Sequence, residues 1–116
     1  MTNSNNARAL LETYPNIMMH FKLVRPGTKL NWKNLGPISK KNDELFEDWA
    51  RLMEDMPYRF MVGTDFRWGQ NTPEKYTKRI KRIRQVLGSI NPQAADMIAY
   101  ENARRVYGDG RTCAAE

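Results

Sequence analysis

The stretch Tyr58-Arg59-Phe60-Met61-Val62-Gly63-Thr64-Asp65-Phe66 decides the fold. Phe60, Met61 and Val62 form a short apolar run between Pro57 and Gly63. A run of that length bounded by breakers predicts a buried strand, here over Tyr58–Thr64, that delivers one acid, Asp65, at its end. Immediately upstream, Leu45, Phe46, Trp49, Leu52, Met53 and Met56 recur at helical spacing. They predict an amphipathic helix capped by Asn42, with Asp43 and Glu44 in its first turn, and ended by Pro57.

Working outward, Ala7–Thr13 reads as a short helix stopped by Tyr14-Pro15. Ile17–Val24 reads as another strand, with Ile17, Met19, Phe21 and Leu23 on one face and Met18, His20 and Lys22 on the other. Arg25-Pro26-Gly27 ends it, and Thr28–Lys41, with Gly36-Pro37, has no period and reads as loop. On the other side, Phe66–Asn71 is a connection. Thr72-Pro73 then starts a helix whose apolar stripe is Tyr76, Ile80, Ile83 and Leu87, closed by Gly88. Asn91-Pro92 starts a last helix with Ala95, Ile98, Ala99, Ala103 and Val106 on one side, and residues 109–116 are tail. Helices alternating with strands predict βα units and a parallel sheet, and two strands make a very small one.

Composition narrows the function classes. With 116 residues and 41% hydrophobic content the chain builds one core. No apolar run reaches the roughly 18 residues that span a bilayer, and Met1–Asn6 has no secretory character, so a cytoplasmic protein without a membrane partner is expected. The single cysteine, Cys113, excludes an internal disulfide and a multi-cysteine metal site. The net charge of +6 invites a nucleic-acid partner, and Lys75, Lys78, Arg79, Lys81, Arg82 and Arg84 concentrate it on one helix. No helix-turn-helix, zinc-finger or aromatic RNA-binding motif accompanies them, so a solvated helix face is expected instead.

The run Tyr58–Phe66, the closing Ile98-Ala99-Tyr100-Glu101-Asn102-Ala103-Arg104-Arg105-Val106-Tyr107-Gly108 and the upstream Leu10-Leu11-Glu12-Thr13-Tyr14-Pro15-Asn16-Ile17 appear in that order. Together they resemble the C-terminal part of the amidohydrolase-related (amidohydrolase superfamily) TIM-barrel hydrolases. In that family the last barrel strand ends in Gly-Ser/Thr-Asp and an aromatic, and the closing helix carries Asn-Ala-x-Arg-apolar-Tyr. The resemblance implies an α/β fold: the last two βα units plus a C-terminal helix of a (β/α)8 TIM barrel, incomplete as given, over residues 1–116 as a single partial domain.

Its functional implications are specific. The family binds divalent metal, typically zinc, at the barrel mouth and uses a metal-bound water to hydrolyse or decarboxylate small carbonyl or ester-like substrates. Asp65 stands where the family's last-strand Asp binds the metal and takes a proton from that water. By position on the mouth, Arg67 and Trp68, with Gln70, are candidate substrate contacts, as are His20 and Lys22 on the polar face of the preceding strand. Asn102 and Arg104 match the closing-helix signature and are expected to be structural. The family's His-x-His pair is missing, and the sole histidine, His20, lies on the wrong strand to replace it. A catalytic zinc takes three protein ligands, so the chain is expected to be an inactive fragment by itself. The alternative is a small basic α/β interaction module that binds nucleic acid or a protein and oligomerises through open strand edges.

Overall fold

The computed structural model describes residues 3–24, 37–67, 69 and 71–108. The readings made for residues 25–36, for Trp68 and Gln70, and for the tail with Cys113 lie outside them.

Chain order is α1 (Ser4–Thr13), β1 (Met19–Phe21), α2 (Glu47–Asp55), a 3-10 turn (Pro57–Arg59), β2 (Phe60–Val62), α3 (Pro73–Leu87), α4 (Pro92–Asp96), a π-helical turn (Met97–Glu101) and α5 (Asn102–Tyr107). Among the described residues β1 and β2 form one two-stranded parallel sheet, in which Met19, His20 and Phe21 pair with Phe60, Met61 and Val62. The mixed α/β character and the parallel pairing agree with the sequence reading. The (β/α)8 barrel portion does not.

That expectation is corrected by a helix-dominated unit whose strands are three residues long. A barrel segment would leave one strand face open towards the barrel interior. Here Phe60 and Met61, which point to opposite faces of β2, are 1% and 3% exposed. The chain therefore buries both faces of β2 at Phe60 and Met61 by itself.

Local chemistry explains where elements differ from the pattern. Helix α1 starts three residues before the expected Ala7, because Asn3 caps it by accepting from the Asn6 N–H at 2.8 Å. Strand β1 is shorter than Ile17–Val24 because β2 offers it a ladder over three residues only. Asn42 does not cap α2. Asp43 turns into the left-handed region (φ 62°), Leu45 bridges Ser39 across a tight turn, and the helix begins at Glu47. At α3 and α4 the expected caps hold: Thr72 accepts from Lys75 N–H and Asn91 from Ala94 N–H.

The core is one cluster built from Ala7 and Leu11 of α1, Trp49, Leu52 and Met53 of α2, Phe60 of β2, Ile83, Val86 and Leu87 of α3, and Ala94 and Ile98 beyond. Ile17, Met19, Phe21 and Leu23 pack against it, so the apolar face read for β1 is the face it buries. Two buried polar residues tie the layers. Arg59 donates to the carbonyls of Leu11, Tyr14 and Ile17, and Asn102 donates to those of Pro57 and Phe60 at 2.7 and 2.9 Å. The structural role read for Asn102 is thus the one it has.

Candidate functional site

In a parallel sheet the strands end together, and ligands collect beyond their carboxyl ends. Here that edge carries Lys22, which follows β1, and Gly63-Thr64-Asp65, which follow β2. The ladder continues one residue past β2, with Gly63 N–H donating to Phe21 O at 2.9 Å, so both strand ends stay in register as they reach the surface.

The chain then turns sharply. Asp65 has φ +50°, in the left-handed region that Asp tolerates better than most residues. The turn is fastened from α3. One guanidinium nitrogen of Arg79 donates to both Thr64 O (2.8 Å) and Asp65 O (2.9 Å), and Phe66 N–H reaches Thr64 Oγ1 at 3.4 Å. Phe66 also meets Tyr76 of α3 edge to face, with ring centroids 5.0 Å apart. An exposed Tyr76, read from its spacing as a core position, therefore packs on this loop instead.

Lys22 Nζ donates to Asp65 Oδ2 at 2.5 Å, and Arg67 Nε lies 3.9 Å from Oδ1. The hydrogen bond from Lys22 and its charge outweigh desolvation and hold the Asp65 carboxyl below the usual carboxylate range, with smaller contributions from Arg67 and Arg79. Asp65 is ionised at neutral pH. The folded-state value is the lowered one, so the pairing is present at neutral pH and is lost only as pH falls through that lowered range.

Of the residues singled out from sequence, the structure brings together Lys22, Asp65 and Arg67. His20 is exposed and sits opposite Met61, one step back from the edge on the same face as Lys22. Trp68 lies outside the described residues. Among those described, no group of three or more His, Cys, Asp or Glu side chains is placed to hold a metal ion. Asp65 is a suitable single oxygen ligand, but it is already paired with an ammonium, and the described residues do not fit a zinc site.

Arg79 is the participant the sequence concealed. It lies in a run of cations that reads as a solvated stripe, and no local signal distinguishes it from Lys78 or Lys81. Arg82 is likewise engaged, with Asp43 at 2.7 Å and Ser39 at 3.3 Å. An open concavity at the π-helical turn is lined by Tyr100, Glu101, Arg104 and Arg105. Arg105 there already donates to Tyr58 O and reaches Asn102 Oδ1.

Set against protein-family models, curated proteins and solved structures, the chain matches none. No helix among the described residues is long and apolar enough to cross a membrane.

Proposed function

We propose that this chain is part of a metal-dependent hydrolase of the amidohydrolase-related kind, to which it contributes Asp65. The small carbonyl or ester-like substrate and the remaining metal ligands then come from outside the described residues, in the cytoplasm and in association with further polypeptide. The observation that supports this is the placement of Asp65. Within the run that resembles the family, Asp65 lies just past the carboxyl end of a parallel strand, its turn fastened by Arg79, beside Lys22, which follows the neighbouring strand. That edge is where catalytic groups of such sheets collect. On this reading the isolated chain does not hydrolyse substrate.

Equilibrium dialysis against zinc, with metal quantified per chain, tests the assignment. The isolated chain is expected to retain zinc weakly and below stoichiometry, and Asp65→Asn to abolish what it retains. Stoichiometric zinc that survives Asp65→Asn would remove Asp65 from the metal site.

One observation favours a second reading, a basic interaction module. With Arg79 and Arg82 engaged, Lys75, Lys78, Lys81 and Arg84 of α3 remain exposed on a single helix. If they bind a polyanion, converting all four to Gln lowers the salt concentration at which the chain elutes from heparin. It also flattens the log–log salt dependence of DNA binding by about one unit of slope per lost phosphate contact. An unchanged elution point excludes α3 as the binding face.

A further inference from the structure

Among the described residues the carboxyl edge carries more positive than negative charge, and Asp65 lies among the cations there. Lys22, Arg67 and Arg79 converge on Asp65 from β1, from the loop and from α3. Among the described residues, Asp65 is the carboxylate placed against Lys22 and Arg67. The Lys22 and Arg67 side chains are 55% and 65% exposed, and Arg67 meets Asp65 only at 3.9 Å, so both remain open to a solute.

We propose that Lys22 and Arg67 form a binding site for a small oxyanion, a phosphoryl or carboxylate group, in which the Asp65 carboxylate is the internal competitor. The chemistry follows from the geometry. Asp65 Oδ2 already occupies the position an incoming oxygen would take on Lys22 Nζ. An exposed ion pair of this kind contributes little, so a phosphate dianion bridging an ammonium and a guanidinium displaces it readily. Arg79 keeps the turn in place by its bonds to Thr64 O and Asp65 O, so the competitor can swing away without the loop collapsing. The site does not depend on the hydrolase reading and needs no metal. If that reading holds as well, the oxyanion is a feature of the substrate.

Inorganic phosphate is the probe, titrated into the chain at constant ionic strength with chloride as the balancing anion. Backbone amide shifts of Lys22, Asp65 and Arg67 report the binding. Saturable binding is expected for the native chain. Asp65→Asn, which keeps a residue that tolerates the left-handed turn, should bind phosphate about two- to fivefold tighter, as expected when a weak competing ion pair is removed. Lys22→Ala should bind it about tenfold weaker, and Lys22→Ala with Arg67→Ala should show no saturation. Acetate and malonate titrations then tell a carboxylate preference from a phosphoryl one.

Absence of saturation in both the native chain and Asp65→Asn overturns the proposal, as does phosphate binding that survives loss of both cations. The Asp65→Asn variant also separates the two readings, since it should lose zinc under the first and gain phosphate under this one.

Discussion

Arg59→Met should lower stability by about 3 kcal/mol, read as a fall in the urea midpoint at unchanged slope. Arg59 is 6% exposed, and three carbonyls rather than a carboxylate satisfy it: Ile17 O at 2.7 Å, Leu11 O at 3.0 Å and Tyr14 O at 2.5 Å. Those carbonyls belong to the last turn of α1 and the approach to β1, so one guanidinium fixes both to the start of β2. Methionine fills comparable volume and supplies no donor. Its cost is therefore the orphaning of one buried carbonyl, Leu11 O, and two part-buried ones, at about 1–3 kcal/mol each when desolvated and less where water can reach them. Arg59→Lys retains the charge but not the fork that serves three acceptors, so it should fall between the two. Arg51→Met, on the exposed side of α2, is the matched control and should stay within about 0.5 kcal/mol. Equal effects at positions 51 and 59 would mean that the carbonyl network does not hold the layers together.

This network also marks where sequence reading stops. The apolar face of β1 was legible because alternation is a local property, and Ile17, Met19, Phe21 and Leu23 pack as their spacing predicts. Strand length was not, because a strand extends only as far as its ladder partner and β2 is three residues long. The caps at Thr72 and Asn91 were legible from two or three residues each. The cap assigned to Asn42 failed because Asp43 and Leu45 are drawn into a turn against Ser39, which no local pattern reveals.

In the closing helix the expected inward set was Ala95, Ile98, Ala99, Ala103 and Val106. Ile98 is buried and Ala95 packs against the core as read, but past the wider winding of the π-helical turn at Met97–Glu101 it is Asn102 that faces in, while Ala99 is exposed and Val106 is left 47% exposed. The barrel expectation failed for a related reason. Two βα units read the same whether they belong to a closed sheet or stand alone, and only the burial of both faces of β2 separates the cases. At the candidate site, Asp65 was visible as the acid after a good strand. Its partners come from residues 43 positions before it and 14 positions after it, and their convergence is a product of the fold.

Phe60→Ala should be the most damaging single truncation of the sheet, costing about 4 kcal/mol in the same urea assay. Phe60 is among the largest fully buried side chains and belongs to the cluster that joins α1, α2, α3 and Ile98. Truncation removes apolar area from the core and leaves a cavity that several rigid helices must line, which is why such changes exceed simple transfer values. A second loss compounds it. Asn102 donates to Phe60 O from the closing helix at 2.9 Å, and a shift of the β2 backbone towards the cavity strains that bond. Phe60→Leu keeps most of the volume and should cost about 1.5 kcal/mol or less. For a unit whose whole stability is on the order of 5–15 kcal/mol, the alanine variant should sit close to its unfolding threshold. Its β1–β2 amides should then exchange with solvent nearly as fast as those of the loops, because this short ladder depends on the side chain beneath it. If Phe60→Ala were no worse than Phe60→Leu while those amides stayed protected, the sheet would be held by its edges rather than by the core.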